Sequence, residues 1–498
     1  MPPDVREWLP ADHLAWFVVD AVAGMDLSAF YAAYRLDGHG RAAYEPSVLV
    51  ALILYAFATK VRSSRAIERH CRQDVAYRVI TGNLIPDHAT VARFVCRHER
   101  ALADLFAEVL KLCDRAGLVK PGVVSIDGTR IAGNASPEVN HTFDQIAREV
   151  LAEARATDEA EDELYGEQRG DELPEQLRTP EGRRQALADA KRRIAERKGR
   201  EISEQQSAAE PALDPEVVLG RDVLRRNGRR EWFRVARREL EEQRARDGQP
   251  IPRDREDRLF QALGRLEGNH RMDLAANEAY EHWRATARDT KGRVLKGNSK
   301  PFVAPELPDG TINLSDPDSK VMRTQGTPPR QAYNAQTAVN DQQIILAAEI
   351  TIDAPDFGHL EPMLDTTLRH LERHGVTELP KVLLGDAGYW HTRQMQAIAD
   401  RGIEVLIPPD GTMREGKRPG WAHGVYEKMR RKLKTKRGRK LYAQRKISVE
   451  PVYGQIKYNR RVDRFMRRGR AAALSEWRLV AATHNLLKLH RHWIADTA

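Results

Sequence analysis

Three carboxylates stand in this chain where they could do chemistry. Asp127 closes the apolar run Val123-Val124-Ser125-Ile126 and is followed by Gly128. Asp386 closes Lys381-Val382-Leu383-Leu384-Gly385 and is followed by Ala387. Each reads as a side chain that a short strand delivers to the carboxyl edge of a sheet, where functional groups of α/β folds collect. Glu450 lies instead in a basic segment, Arg445 to Arg461, that reads as a helix. Two aspartates emerging side by side repel unless a cation lies between them. Mg²⁺ takes a few carboxylates together with waters and phosphate oxygens. A third carboxylate from a helix would complete a two-metal site, which activates one oxygen nucleophile and stabilises the leaving oxygen. That is the chemistry of cutting and joining phosphodiesters. Either aspartate alone is better explained as an exposed turn residue; the set of three acids carries the reading. The chain has no nucleotide-triphosphate loop, no GxGxxG after a strand and no GxSxG nucleophile elbow. Its three cysteines (Cys71, Cys96 and Cys113) form no CxxC and no zinc spacing.

The elements that must position these acids can be read from periodicity and punctuation. Residues 1–118 read as helical. Pro46 opens an apolar stretch to Val61, Ser63 and Asp87 are placed to cap the next helices, and Val91, Phe94, Val95, Leu102, Leu105, Phe106 and Leu110 follow at helical spacing. The Asp127 strand comes next. Residues 138–300 are rich in Glu, Arg, Ala and Gln and lack strand signals, which fits a charged helical insertion with breaks near Pro174, Pro180, Pro211 and Pro252 and a linker from Lys296. Strands return at Gln331 to Val339 and Gln343 to Ile352, separated by a turn signal at Asn340-Asp341-Gln342. A helix from Gly358 to His374, the Asp386 strand, a helix from His391 to Arg401, a strand from Ile403 to Ile407 and the Glu450 helix complete the order, closed by an apolar-faced helix from Leu474 to Leu489. This is an α/β sheet whose first hairpin is interrupted, an insertion that is tolerated when the loop ends lie close together.

Charge indicates the partner. The 498 residues carry 81 Lys and Arg against 72 Asp and Glu, for a net charge of +9 and a pI near 9.3. The excess is local: residues 427–470 hold 18 basic residues and 3 acids, whereas residues 138–219 hold 12 basic and 21 acidic ones. Acids for pairing are nearly absent from the first stretch, so it suits a polyanion, and nucleic acid is the usual one. The basic residues Arg62, Arg65, Arg69, Arg72 and Arg93 around the N-terminal helices suggest a second contact region. The longest wholly apolar run, Val48 to Ala58, has eleven residues, against the roughly twenty that a membrane-spanning helix needs. With no signal-peptide pattern at the N-terminus, the expectation is a cytoplasmic protein with no membrane partner.

Several blocks resemble one family. Arg62-Ser63-Ser64-Arg65-Ala66-Ile67-Glu68 and Pro86-Asp87-His88-Ala89-Thr90, then Ser125-Ile126-Asp127-Gly128-Thr129-Arg130, Tyr333-Asn334-Ala335-Gln336, Leu384-Gly385-Asp386-Ala387-Gly388-Tyr389-Trp390, Val449-Glu450-Pro451-Val452-Tyr453-Gly454-Gln455-Ile456-Lys457 and Thr483-His484-Asn485 occur in an order similar to the DDE transposases of bacterial insertion sequences, in the branch with an InsH-like helical N-terminal domain. The resemblance covers nearly the whole chain outside residues 138–300. It implies an α/β, ribonuclease-H-like catalytic domain made of residues 119–137 and 301–498, an all-α DNA-binding domain over residues 1–118, and a helical insertion and linker over residues 138–300. It further implies Asp127, Asp386 and Glu450 as ligands of two Mg²⁺ or Mn²⁺ ions. Many relatives place Arg four residues before the Glu and Lys seven after it. Lys457 fits that spacing; Lys446 holds the arginine's place, and Arg445 and Tyr442 sit one residue early. Arg445, Lys446, Lys457, Arg460, Arg461, Arg65 and Arg69 are the expected DNA contacts.

The expected activity is cleavage and strand transfer at the ends of a mobile element, by a dimer on double-stranded DNA. Two rivals stand beside it: a ribonuclease-H-like nuclease that does not join, and a DNA-binding protein with a decayed site. Of the remaining polar residues, Asp356 and His359 precede a helix near the sheet edge, where helix capping is the plainer role for Asp356. Tyr389-Trp390 reads as packing of the next helix onto the sheet.

Overall fold

A computed structural model describes residues 5–34, 43–153, 179–197, 228–247, 250–288, 292, 303, 305–324, 327–373, 375–411 and 424–497. The expected breaks at Pro174 and Pro211 and the start of the linker at Lys296 lie outside these residues. The chain forms two compact units, one of residues 1–134 and 322–498, the other of residues 135–321. Among the described residues no helix is long and apolar enough to cross a membrane.

Among the described residues the first unit begins with a 3-10 turn (Val5–Trp8) and seven α-helices: α1 (Leu14–Ala23), α2 (Ser28–Tyr31), α3 (Pro46–Ala58), α4 (Ser64–Gln73), α5 (Val75–Ile80), α6 (His88–Arg97) and α7 (Glu99–Arg115). Pro46 takes the first turn of α3, where its missing N–H costs nothing. α3 is apolar all round because it is buried all round, from Leu49 to Ala58. Asp87 caps α6 through the Thr90 N–H at 2.9 Å, whereas Ser63 makes no side-chain cap on α4.

A mixed sheet follows, of β1 (Val123–Ala132), β2 (Thr327–Asn340), β3 (Ile345–Thr351), β4 (Val382–Leu384) and β5 (Glu404–Leu406), in the order β3–β2–β1–β4–β5; a sixth strand, Lys320–Thr324, joins at β2. β1 and β2 are antiparallel with Asp127 opposite Thr337, so the interrupted hairpin closes across the insertion. β4 runs parallel to β1 and β5 parallel to β4. Three antiparallel strands continued by two parallel ones make the ribonuclease-H-like sheet. Helices α8 (Leu360–Arg373), α9 (Thr392–Asp400), α10 (Gly424–Lys434), α11 (Lys436–Tyr453) and α12 (Arg470–Thr497) complete the unit. α11 begins nine residues before the expected Arg445, and α12 runs beyond both expected ends.

α12 packs on both α7 and β3 and so joins the N-terminal helices to the sheet in one core. Its polar residues do specific work. Asn485 accepts from the Ile345 N–H at 2.9 Å and donates to the Ile345 carbonyl at 2.8 Å, as a neighbouring strand would. His484 sits 3.0 Å from the Gln343 carbonyl, and burial pushes its pKa down to about 3. Tyr389 and Trp390 are buried as expected for packing.

The second unit holds the helical part of the insertion. Helices Arg229–Asp247 and Arg255–Thr286 pack through Trp232, Ala236, Leu240, Met272, Ala276 and Tyr280. Asp254, two residues after Pro252, caps the second of these helices. A short ribbon, Asn140–Thr142 against Thr311–Asn313, pairs the start of the stretch read as helical with the stretch read as a linker.

Candidate active site

Register explains why two of the three acids meet. Ser125 on β1 lies beside Leu384 on parallel β4. Asp127 and Asp386 each follow two residues later, so they stand level at the same carboxyl edge. α11 brings in the third acid along the Asp127 face of β1. The Ser448 hydroxyl is 2.8 Å from that of Ser125, the Tyr453 hydroxyl donates to the Asp127 carbonyl at 2.6 Å, and Lys457 Nζ donates to Thr129 Oγ1 at 3.0 Å. Ser125, Asp127 and Thr129 alternate onto one face of the strand, so three contacts lay the helix and its continuation along β1.

Arg445 links the outer acids. Its Nη2 is 2.7 Å from Asp127 Oδ2 and its Nη1 is 3.5 Å from Glu450 Oε1. The Glu450 side chain is half exposed, while Asp127 and Arg445 are nearly enclosed. Burial pushes the Asp127 carboxyl up to about 7; Arg445 pulls against this, and Asp386 and Asp356 add to it. Asp386 is raised as well, first by burial and then by Asp356. Ionising these acids together is costly, and a divalent cation beside them would offset that cost. The donors are all hard oxygens, which suits Mg²⁺ or Mn²⁺ with waters and phosphate oxygens as further ligands. Among the described residues no group of three or more His, Cys, Asp or Glu stands together as a ready-made metal cage.

The spacing question around Glu450 has a structural answer. Arg445, not Lys446, reaches the acids; Lys446 is exposed. Lys457 is half-buried against β1. Arg461, Arg65 and Arg69 are exposed. Arg460 is placed otherwise than a DNA contact: it is 5% exposed, and its guanidinium donates to the carbonyls of Val480 and Phe57 and to Thr483. It ties α12 to α3. Arg62 is likewise spent inside, 2.9 Å from Glu476.

Asp356, near the sheet edge as expected, is placed otherwise than the helix cap that was its plainer reading. Its side chain does not cap α8; it accepts from Asn334 Nδ2 at 2.8 Å and Gln336 Nε2 at 2.7 Å. The available signal was the pair Asn334 and Gln336, amides two apart on β2 and therefore on one face. His359 lies 3.1 Å from Asp353 and serves the same loop.

Acids gathered at the carboxyl edge of such a sheet define a class, the ribonuclease-H-like phosphoryl-transfer proteins. Comparison with protein families narrows it. Residues 310–486 match the transposase DDE domain, and residues 3–97 match a transposase domain (DUF772). With both domains in this order, the chain is a DDE-type transposase of the insertion-sequence kind. Asp386 and Glu450 fall within the DDE match; Asp127 lies before it, across the insertion. No curated protein and no solved structure matched the chain.

Proposed function

We propose that this protein binds the ends of its own mobile element, cuts them and joins them to target DNA, with Asp127, Asp386 and Glu450 as the catalytic carboxylates. The observation that carries this reading is the level placement of Asp127 and Asp386 at one sheet edge, with Arg445 bridging from Asp127 to Glu450. Divalent ions held by the three acids would activate the attacking oxygen and stabilise the leaving one. Hydrolysis at an element end and attack by the freed 3′-hydroxyl on target DNA are both in-line phosphoryl transfers, so one set of acids serves both. Arg445 balances the charge of Asp127 and Glu450 before substrate arrives and is placed to turn toward a phosphate afterwards. Lys457 holds the helix end against β1 and keeps a cation beside the site.

Double-stranded DNA is the partner this requires, and two ends call for two protomers. The DNA surface we assign is the exposed face of α11 that also carries Glu450. Lys436, Arg439, Lys440 and Lys446 fall on that face by helical periodicity, are exposed, and make no ion pair among the described residues. Arg65 and Arg69 on α4 form a second contact, and Arg461 extends the first. Arg460 is left out by its burial.

The test is Asp127→Asn in the full-length protein, assayed on element-end DNA with Mg²⁺. Cleavage should be lost and end binding kept nearly whole, because the amide lacks the charge an ion needs. A variant that cleaves at the wild-type rate would remove Asp127 from the site. Strand-transfer product from a pre-cleaved end separates a transposase from a nuclease that only hydrolyses.

A further inference from the structure

We infer that Asp356 is a fourth carboxylate of this site and shares a divalent cation with Asp386 on the face of the sheet opposite Asp127 and Glu450. The inference rests on the reading of the three acids above and extends it to a residue outside the Asp–Asp–Glu set.

The faces are fixed by strand alternation. Asp127 and Thr337 point toward α11, where the Asp127 carboxylate meets Arg445 and the Thr337 hydroxyl meets that of Tyr453. Gly128, Asn334 and Gln336 point to the other side, and Asp356 lies over them. Gly128 is what admits it: a Cβ there would collide with the Asp356 carboxylate and the Gln336 amide and come within 2.8 Å of Asn334 Oδ1. Gly388 marks the far wall, since a Cβ on it would lie 2.9 Å from Asp386 Oδ1 and 3.4 Å from Asp356 Oδ2. The two carboxylate oxygens therefore flank one small space.

The hydrogen bonds aim Asp356 into that space. Both amide donors go to Oδ1, and the Tyr389 hydroxyl donates to Gln336 Oε1 and fixes which way that amide faces. Oδ2 takes no hydrogen bond among the described residues and is left facing Asp386. A second, independent feature points to a cation. Asn334 is 1% exposed, yet its Oδ1 has no hydrogen-bond partner and sits beside the Asp356 carboxylate over Gly128. A buried acceptor next to an anion is an arrangement proteins avoid unless something positive completes it. Arg445 neutralises the opposite side, and neither Asp356 nor Asp386 forms an ion pair among the described residues. A cation can thus bind here without displacing Arg445. One or two carboxylates, a carbonyl-type oxygen and waters are an ordinary shell for Mg²⁺ or Mn²⁺.

The test is Mn²⁺ binding to the full-length protein without DNA, followed by electron paramagnetic resonance. The wild type should bind, and Asp356→Asn should weaken the tightest binding by about ten- to a hundredfold, the range seen when support of a metal site is removed. Gly128→Ala, which displaces Asp356 without changing any charge, should act in the same direction, and Asp356→Glu should keep more affinity than the Asn variant. Metal-free melting curves identify any variant that has lost its fold; if the Asn variant has, the comparison of Gly128→Ala and Asp356→Glu with wild type decides. Folded variants that titrate like wild type would overturn the inference. The two readings fail separately. Unchanged Mn²⁺ binding in Asp356→Asn alongside lost cleavage in Asp127→Asn removes only the fourth carboxylate. Active Asp127→Asn protein removes the three-acid reading, whatever the titration gives.

Discussion

Arg445 illustrates what one residue's position decides. The family spacing puts an arginine four residues before the third acid; here it stands five before. A lysine would offer a single point charge, whereas the guanidinium fork reaches Asp127 and Glu450 together. The three acids were legible because each has a local signature, two after short apolar runs and one in a basic helix, although β1 runs on past Asp127 to Ala132 and only Asp386 follows a strand end. Asp356 was not legible, because its role depends on Gly128 and Gly388 leaving room for it from other segments. The acids also set a pH dependence. Asp127 in the folded chain holds its proton until about pH 7, whereas an unfolded Asp releases it near pH 4. Between those values the folded state binds more protons, so this group's contribution to stability falls as pH rises from about 4 to about 7. The metal-free Asp127→Asn variant cannot ionise there. Its melting temperature should therefore gain on wild type as pH is raised from 5 to 8, and an unchanging difference would show that Asp127 titrates normally. By the same sign, divalent-ion binding should weaken as pH falls below about 7, because the ion must compete with that proton.

At the scale of elements, the placement of Glu450 depends on an interruption in its own helix. Pro451 cannot donate to the Ile447 carbonyl four residues back. Gln343, in the β2–β3 turn, donates to that carbonyl at 2.8 Å instead. The helix then widens into a π-turn over Gly454–Asn459, a form that is rare and concentrates at functional sites. Lys457 leaves it toward β1. The existence of this helix was readable from composition, and its length was not, since the residues from Lys436 onward carry charge without an apolar stripe. The tail motif has a parallel lesson. Thr483-His484-Asn485 stands out in the sequence, yet all three residues face inward and hold structure: Arg460, the Gln343 carbonyl and the Ile345 backbone. Replacing Asn485 by Ala would leave the buried N–H and C=O of Ile345 without partners. The expected cost is about 2–4 kcal/mol, read as a shift of the chemical-denaturation midpoint to lower denaturant. An unmoved midpoint would mean that the start of β3 is held by other contacts.

For the molecule as a whole, composition located the positive charge in residues 427–470 but could not tell which cations are already engaged. The structure divides them. Lys432 and Arg437 both pair with Glu404, whose pKa they hold down to about 2. Arg430 pairs with Asp410, Arg431 with Glu427 and Arg467 with Glu99, and Arg460 is buried. Lys436, Arg439, Lys440 and Lys446 remain exposed along the Glu450 face of α11. Each phosphate that a cation neutralises contributes about 0.9 to the slope of log affinity against log salt concentration. Changing these four residues to Gln together should weaken end binding, and unrelated DNA by a similar factor, because phosphate contacts carry no sequence information. It should also flatten the salt slope by up to about 3.6, if all four meet phosphates. Changing Lys432 and Arg437 instead should flatten the slope far less, since both are already engaged by Glu404, which offsets one of their two charges. Binding measured at several salt concentrations distinguishes the two sets. If the four-residue variant keeps the wild-type slope, α11 does not track the DNA backbone, and Arg65 and Arg69 on α4 become the principal contacts.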